Sequence, residues 1–213
     1  LGIRPGLTAV IGSGGKTSLL RVLAQELSRH GTVLLATTTH IMRPNWCPFA
    51  ATAAELCDGF AHSPIVCAGS YTPEGKLTAP DFPGWQYAAD FVLVEADGSK
   101  RLPAKAHAAW EPVLPPERNR TVCVFGASAL GQPIQDAAHR PELYASLAEV
   151  SPEAVITPAI AARVLAKEGG FDVLFINQAD VLEDPAAALQ PFADTLPCPA
   201  IYGALAEGYW AKL

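Results

Sequence analysis

LTAVIGSGGKTS, residues 7–18, places a short apolar run before three glycines and a Lys-Thr-Ser sequence. From Thr17 to Arg29, apolar residues recur at helical spacing, and the pattern stops at Gly31, a residue type that commonly ends helices. Another apolar run begins at residue 32. The stretch therefore predicts a buried strand, a glycine-rich loop, a helix and a second strand in succession.

Short apolar runs recur along the whole chain and lack the alternation of half-exposed strands. They lie at 7–11, 32–37, 64–69, 91–97, 121–126, 153–157, 172–177 and 198–203. Continuous apolar strands are typical of parallel sheets that are covered on both faces. Helical patterns at 17–29, 141–149 and 158–167 are candidates for that cover. We therefore expect an α/β fold, a mostly parallel sheet with helices on both faces.

The length and composition indicate one domain. The chain has 213 residues, of which 50% are hydrophobic, which is enough to bury the core of a single domain spanning residues 1–213. Stretches rich in Pro and Gly around 42–52, 70–90 and 98–120 predict loop insertions. Long loops of this kind often form lids or binding loops.

Charge and cysteine content restrict the partners and the compartment. The formal net charge is −6 and no basic run occurs, which argues against nucleic acid as a partner. Five widely spaced cysteines without a CxxC pair indicate reduced thiols. Without a signal-peptide pattern or an apolar stretch of about 18 residues, we expect a cytoplasmic protein with no membrane partner. The missing initiator methionine indicates trimming at the start.

The glycine-rich segment has the composition of a phosphate-binding loop. Glycines allow several backbone N–H groups to point at one anion, and the following helix N-terminus favours negative charge. Lys16 would reach the outer phosphates, and the Thr17 hydroxyl would coordinate magnesium. The predicted nucleotide-binding residues here are Gly12, Ser13, Gly14, Gly15, Lys16, Thr17 and Ser18.

Two other interpretations of this segment stay open. In the pattern G-x-x-x-x-G-K-[ST] the first glycine falls here on Val10, so the match is partial. In the dinucleotide turn G-x-G-x-x-G, Gly12 and Gly14 fit, but the third glycine falls on Thr17 and no acidic residue ends the second strand. The remaining alternative is a tight connection between strand and helix that holds no ligand.

Two acidic residues, Glu95 and Asp97, end the apolar run at 91–97. Magnesium on a nucleoside triphosphate is usually held by an acid from a neighbouring strand end together with the loop hydroxyl. We therefore predict magnesium ligands at Thr17, Glu95 and Asp97, and a catalytic set of Lys16, Glu95 and Asp97. The alternative is a pair of ordinary acids at a strand end.

Three threonines and a histidine, Thr37, Thr38, Thr39 and His40, follow the second apolar run. Because parallel strands present their carboxyl ends to the ligand crevice, we expect these hydroxyls near magnesium or the terminal phosphate. His40 is a candidate general base, and an ordinary loop histidine is the alternative.

Asn177 and Asp180 follow a late apolar run and resemble the N-K-x-D sequence that reads guanine in GTP-binding proteins. In that motif the Asp accepts hydrogen bonds from the guanine ring and its amino group, while the Asn supports the loop and the purine edge. Gln178 stands where the motif has Lys. The residues predict a base site at Asn177 and Asp180, and GTP and ATP both stay open.

Several segments occur together in one order along nearly the whole chain: GSGGKTS, TTTH, VEADGSKRLPAKAHAAWEPVLP, HRPELYASL and NQAD. In these segments the sequence resembles the YqeC family, accessory proteins for selenium-dependent molybdenum hydroxylases. The resemblance implies a P-loop NTPase-like three-layer sandwich and a role in maturing a selenium- or molybdenum-containing cofactor. It implies phosphate contacts at Gly14, Gly15, Lys16 and Thr17, magnesium contacts at Glu95 and Asp97, and base contacts at Asn177 and Asp180. Gln178 and Ala106-His107 depart from the family pattern, and the second departure is expected only to alter a loop.

A small basic cluster, Lys100, Arg101 and Lys105, follows Asp97. One hypothesis is that it holds a second anion, such as a phosphorylated cofactor precursor or the leaving phosphate. The alternative is a solvated basic loop. The five histidines, including His107, are scattered along the chain and are expected on the surface or in loops.

These features predict a magnesium-dependent protein that binds GTP or ATP and hydrolyses it slowly. The turnover would be coupled to maturation of a selenium- or molybdenum-containing hydroxylase cofactor, with a cofactor precursor or a client molybdenum hydroxylase as partner. One alternative is a phosphoryl or nucleotidyl transferase that acts on a small cofactor precursor. Another is a nucleotide-gated accessory protein or chaperone without appreciable turnover.

Overall fold

A nine-stranded sheet runs through the centre of the protein, whose computed structural model describes all of residues 1–213. The strands, in chain order, are β1 Gly6–Gly12, β2 Val33–Thr37, β3 Phe49–Ala50, β4 Ile65–Ala68, β5 Ser70–Tyr71, β6 Leu77–Thr78, β7 Phe91–Glu95, β8 Ala104–Lys105, β9 Arg118–Gly126, β10 Ala138–His139, β11 Val173–Asn177, β12 Ala200–Ala204 and β13 Tyr209–Lys212. The helices are α1 Lys16–Leu27, α2 Ala53–His62, α3 Ile134–Ala137, α4 Pro141–Ala148, α5 Pro158–Glu168 and α6 Pro185–Thr195. Short 3-10 turns occupy Trp85–Tyr87, Ala127–Ala129 and Ala179–Val181.

The order of strands in the sheet is β13-β12-β11-β9-β1-β7-β2-β4-β3. All neighbours are parallel except β13, which pairs antiparallel with β12. β1 lies in the middle, with Val10 opposite Glu95 of β7 on one side and opposite Val122 of β9 on the other. The loop that follows β1 is therefore next to the carboxyl ends of both neighbours.

Alternate residues of the buried strands face different helices, which makes three layers. In β1, Ala9 and Ile11 belong to the apolar cluster formed with α4, α5 and α6, while Val10 belongs to the cluster formed with α1. In β2, Leu34 packs with Leu56 of α2. Because both faces of the sheet are covered, the strands read as continuous apolar runs. The predicted α/β class and P-loop NTPase-like three-layer sandwich are confirmed.

The helices begin at residues that satisfy their free N–H groups. Thr52 and Glu55 form a capping box at α2, in which the Thr52 hydroxyl accepts from the Glu55 N–H at 3.2 Å. The Thr157 hydroxyl caps α5 and the Asp184 carboxylate caps α6, each followed by proline at the first helical position. No helix is both long enough and apolar enough to cross a membrane.

The predicted strand at 153–157 is wrong. The segment makes one isolated bridge, between Pro133 and Val155, and its two neighbouring apolar side chains differ in burial: Ile156 is buried, whereas Val155 is 47% exposed. The backbone of Ile156 instead pairs with Gly131 and Gln132, and Thr157 then caps α5. An apolar run of this length fits a helix entry as well as a strand. The short edge strands β3 and β13 and the helices α2 and α6 were not predicted.

Ile156 and Val155 form a matched pair for a stability test. We expect Ile156→Ala to reduce the free energy of unfolding by about 2–5 kcal/mol, because it leaves a cavity in the core. Val155→Ala should change it by less than about 0.5 kcal/mol, because the side chain is largely in solvent. Urea denaturation measures both values. Equal and large losses for the two variants would contradict this description, because they would indicate that both side chains are buried, as in a strand covered on both faces.

Candidate functional site

The turn from β1 into α1, the glycine loop of residues 12–15, depends on glycine conformation. Gly12 and Gly14 have φ angles of 91° and 82°, which other residues adopt only with strain. A side chain at Gly12 would overlap the Val124 carbonyl of β9, and one at Gly14 would overlap the backbone of Gly126. The glycines therefore allow both the turn and its close approach to β9.

The glycine loop presents polar backbone groups that have no partner. The N–H groups of Gly14 and Gly15 donate no hydrogen bond within the protein. Gly15 is also the N-cap of α1, which has no side-chain cap and no acidic residue in its first turn. Unpaired N–H groups at a helix N-terminus form a favourable environment for an anion.

Lys16 lies beneath this loop and is only 4% exposed. Its Nζ donates to the Gly12 carbonyl at 2.6 Å and lies 3.0 Å from Asp97 Oδ1 and 3.8 Å from Glu95 Oε1. Asp97 and Glu95 together balance the charge that burial would otherwise make costly. The predicted phosphate-binding lysine and the two predicted acids are therefore brought together.

Glu95 joins the end of β7 to the start of α1. The Thr17 hydroxyl donates to Glu95 Oε2 at 3.1 Å. Burial raises the pKa of Glu95, and Lys16 and Thr17 oppose that shift. A hydroxyl beside a carboxylate fits the oxygen ligands that magnesium prefers. No group of three or more His, Cys, Asp or Glu side chains is arranged to hold a metal ion.

Asp97 is fully buried behind the glycine loop. Its Oδ2 accepts from the Gly12 N–H at 2.8 Å and lies 2.6 Å from His107 Nε2 and 3.1 Å from Lys105 Nζ. Burial favours a raised pKa, but the hydrogen bond from His107 and the charges of Lys16 and Lys105 outweigh it and hold the pKa of Asp97 below its ordinary value. Asp97 thus stays ionised and holds the loop from behind. Its role as a magnesium ligand stays a prediction.

His107 lies in the loop after β8, as expected, but its side chain is not on the surface and lies between two carboxylates. Its Nε2 contacts Asp97, its Nδ1 lies 3.1 Å from Glu168 Oε2 at the end of α5, and its backbone N–H also donates to Glu168. Burial lowers its pKa, but the hydrogen bonds to Asp97 and Glu168 dominate and raise it to about 9. The departure at Ala106-His107 therefore affects a buried ion network as well as a loop.

Lys105 is also buried, which rules out the solvated-loop interpretation for this residue. Its Nζ donates to the Gly98 carbonyl and pairs with Asp97 and with Glu111 Oε2 at 2.7 Å. Arg140 reaches the same Glu111 oxygen at 2.7 Å. With every bond of its ammonium directed at the protein, Lys105 is not free to hold a second anion. This network was not predicted from the sequence. The alanines on either side of Lys105 and His107 are the feature of the sequence that indicates burial.

The threonines after β2 link neighbouring segments. The Thr37 hydroxyl donates to the Glu95 carbonyl at 2.8 Å, and the Thr38 hydroxyl donates to the Val113 carbonyl at 2.6 Å. The Thr39 N–H donates to the Thr37 hydroxyl. They hold the ends of β2 and β7 and the segment around Val113 together. His40 lines the cleft at the glycine loop.

Asn177 and Asp180 lie on the other side of the glycine loop. The Asn177 amide donates to the Gly14 carbonyl at 2.8 Å and accepts from the Leu205 N–H at 3.1 Å, so it joins the loop to the end of β12. Asp180 lines a cavity of about 630 Å³ that also contacts Gly15. Gln178 has a left-handed φ of 62° and accepts from the Ser128 hydroxyl at 2.7 Å. Asn177 and Asp180 therefore border one cavity adjacent to the glycine loop.

A second cavity, of about 800 Å³, opens over Lys16 and Thr17. It meets the first cavity at four residues and has a predominantly basic wall. The shared residues are Gly15, Ser18, Ser128 and Gln178. The cations of the wall besides Lys16 are Lys76, Lys100 and Arg101, and the one carboxylate is Glu95. The loop, Glu95 and two of the three predicted basic residues thus border one continuous cleft, whereas Asp97 is buried behind it.

Comparison with known proteins shows that the sequence of this chain is similar to that of a described family. The family model described as "YqeC protein" matches residues 8–142, which include the glycine loop, Glu95, Asp97 and the buried network up to Arg140. The "Uncharacterized protein YqeC" of Escherichia coli (strain K12) is 33% identical over 212 residues, covering 88% of this chain and 83% of the relative. The second match extends the similarity beyond the region of the family model.

The raised pKa of His107 makes its contribution to stability dependent on pH. A histidine whose pKa rises from 6.5 unfolded to about 9 folded stabilises the protein fully below pH 6.5 and loses that contribution as the pH rises through about 9. We expect the difference in unfolding free energy between wild type and His107→Gln to shrink over this interval. Urea denaturation in EDTA at several pH values measures it.

The exposed His30→Gln variant is the matched control for this measurement, because His30 makes no ion pair or side-chain hydrogen bond. Its difference from wild type should stay small across the range. A difference for His107→Gln that is constant from pH 6 to pH 10 would contradict the charged state between Asp97 and Glu168.

Proposed function

The chain belongs to the YqeC family, and we propose that it is a magnesium-dependent protein that binds a nucleoside triphosphate, GTP or ATP, and hydrolyses it slowly. One arrangement carries the proposal: the glycine loop presents the unpaired N–H groups of Gly14 and Gly15 beside Lys16, and the Thr17 hydroxyl lies 3.1 Å from the Glu95 carboxylate. This combination matches the chemistry of a triphosphate with its magnesium.

The glycine loop would bind the phosphates through its N–H groups and the N-terminus of α1. Lys16 would exchange its bond to the Gly12 carbonyl for a phosphate oxygen, because a phosphate carries more charge than a carbonyl. Asp97 would remain behind the loop as the partner of the lysine. The positive groups face the place where negative charge accumulates during hydrolysis, which lowers the barrier.

Thr17 and Glu95 would hold magnesium together with phosphate oxygens and water. When bound, the ion neutralises charge on the outer phosphates and orients them. Glu95 or a threonine after β2 would orient the attacking water. Glu95 lines the cleft, whereas the hydroxyls of Thr37 and Thr38 donate to backbone carbonyls, so Glu95 is the better placed of these groups. We expect turnover to be slow without a partner.

The cellular role that we propose is maturation of a selenium- or molybdenum-containing hydroxylase cofactor in the cytoplasm. Its support is the resemblance of the motif segments to accessory proteins of that kind and the absence of disulfide bonds among the five cysteines. A cofactor precursor or the client hydroxylase would be the partner. Nucleotide turnover that rises when such a partner is added would test the coupling.

A second candidate function is transfer of a phosphoryl or nucleotidyl group to a small cofactor precursor. The observation that favours it is the basic wall of the larger cavity, where Lys100 and Arg101 face the same cleft as Lys16. Product formation that requires an added acceptor, with no release of phosphate to water, would identify a transferase.

Lys16→Ala tests the phosphate site. We expect it to lower nucleotide turnover by about 100-fold or more, because it removes a positive group directed at the reacting phosphates. Phosphate release from GTP and ATP, with and without Mg²⁺, measures the effect. Lys212→Ala on the exposed edge strand β13 is the control for loss of one positive charge and should leave turnover unchanged. Wild-type nucleotide affinity and turnover in Lys16→Ala would refute the proposal.

Asp180→Ala tests the base site. If Asp180 accepts hydrogen bonds from guanine, its loss should reduce the ratio of GTP to ATP affinity by about 10- to 100-fold, the value of a hydrogen bond to a charged group. Fluorescent-nucleotide titration measures both affinities. Glu183→Ala, an exposed acid outside the cavity, is the matched control. An unchanged ratio in Asp180→Ala would show that this carboxylate does not read the base.

A further inference from the structure

The cleft extends to both sides of the glycine loop. With a base beside Asp180 in the smaller cavity, the phosphates would lie on the glycine loop, where the two cavities meet. The larger cavity continues past Lys16 to a wall that contains Lys76, Lys100 and Arg101. That part of the cleft lies on the opposite side of the loop from the base.

The three cations of this wall have no acidic partner. The side chains of Lys76, Lys100 and Arg101 make no ion pair and no hydrogen bond, whereas the nearby Lys16 and Lys105 are paired with carboxylates. The one carboxylate in the cleft, Glu95, already accepts from Thr17 and lies near Lys16. Several unpaired cations in one concave wall raise the local concentration of anions.

The turn that carries two of these cations is held firmly in place. Lys100 and Arg101 have left-handed φ angles of 50° and 64°, and the Leu102 N–H closes the turn by donating to the Ser99 carbonyl at 3.0 Å. On one side, the Gly98 carbonyl accepts from the buried Lys105. The buried anchor fixes the backbone from which the two exposed side chains extend.

On its other side the turn is joined to the glycine loop. The Pro103 carbonyl accepts from the Ser13 hydroxyl at 3.0 Å and from the Gly126 N–H at 2.9 Å. The cations and the phosphate site are therefore parts of one connected structure. Because the backbone of the turn is fixed, only the freedom of the two side chains is lost when they bind a ligand.

A further polar group in the cleft has no partner. His139 lines the same cavity, and its Nδ1 atom is buried and makes no hydrogen bond. Buried polar atoms are nearly always paired, so this ring nitrogen is a polar atom left without its usual partner. This observation is independent of the charge of the wall.

We infer that Lys76, Lys100 and Arg101 form a second oxyanion site, which takes a small molecule carrying a phosphate monoester and lies beside the proposed nucleotide phosphates. A tetrahedral dianion matches three cations better than a carboxylate does, and the Arg101 guanidinium can bind two of its oxygens. Lys105 has no part in the site. The position relative to the nucleotide rests on the proposed function, whereas the oxyanion site itself does not.

The test uses inorganic phosphate as probe. Binding of radiolabelled phosphate is measured by equilibrium dialysis on protein saturated with Mg²⁺ and the β,γ-imido analogue of GTP or ATP. We expect phosphate to bind at a site that the analogue does not block, and the double variant K100Q/R101Q to bind it about tenfold or more weakly. K76Q should weaken it in the same direction.

The double variant R29Q/K212Q is the matched control, because it removes two exposed positive charges outside the cleft. Its phosphate affinity should stay within about twofold of wild type, as expected for distant and screened charges. Phosphate that binds only in competition with the analogue would overturn the inference, as would equal affinity in K100Q/R101Q. Loss of analogue affinity in K100Q/R101Q would also overturn it, because the cations would then bind the nucleotide itself.

The same measurements separate this inference from the proposed function. If no nucleotide binds, the proposed function fails. Phosphate binding that is weakened by K100Q/R101Q and unaffected by Lys16→Ala would still support the oxyanion site. If both nucleotides bind through Lys16 but the phosphate affinity of K100Q/R101Q equals that of wild type, the proposed function stands and the second site is rejected.

Discussion

The buried carboxylate of Asp97 is the group on which the rest of the site depends. It accepts from the Gly12 N–H and pairs with Lys16, Lys105 and His107. Removing one partner of a buried ion pair typically costs about 3–5 kcal/mol, because the remaining charge is left without compensation. The glycine loop, the lysine beneath it and the segment after β7 therefore take their positions from one ionised group.

This arrangement connects the two sides of the cleft physically. Lys16 and Lys105 share the same carboxylate, and Lys105 in turn holds the Gly98 carbonyl next to the turn of Lys100 and Arg101. A ligand that draws Lys16 away from Asp97 would change the electrostatic balance at Lys105. Coupling between two sites requires differential contacts of this kind, and the network supplies a short route for it.

Much of the fold could be predicted from the sequence because its strands are buried on both faces. Seven of the eight apolar runs become strands of the central sheet, and the helices after β1, before Glu149 and after Thr157 lie close to the predicted bounds. The run at 153–157 failed because an apolar pair such as Val155-Ile156 carries no information on which side chain is buried. β13 could not be predicted, because Tyr209 and Trp210 are exposed and form an edge.

Residues of the candidate site could be predicted only where their place in the sequence, next to the glycines or at a strand end, determines their place in the fold. Lys16 and Thr17 follow the glycines directly, and Glu95 ends the strand beside β1, so adjacency in the sheet brings them together. The partnership of His107 with Glu168 joins residues 61 positions apart, and that of Lys105 with Glu111 depends on how one loop folds back. No spacing in the sequence predicts such contacts, and the sequence does not distinguish a buried Lys or His from a solvated one.

The two acids after β7 show how environment divides roles between neighbouring carboxylates. Burial raises the pKa of Glu95, while cationic partners hold that of Asp97 low. Asp97 must stay ionised to compensate the buried cations, so it has little capacity to exchange a proton. The Glu95 carboxylate borders the cleft and accepts only from the Thr17 hydroxyl besides its ion pair with Lys16. Of the two acids, Glu95 is therefore the one whose chemistry can change when a ligand enters.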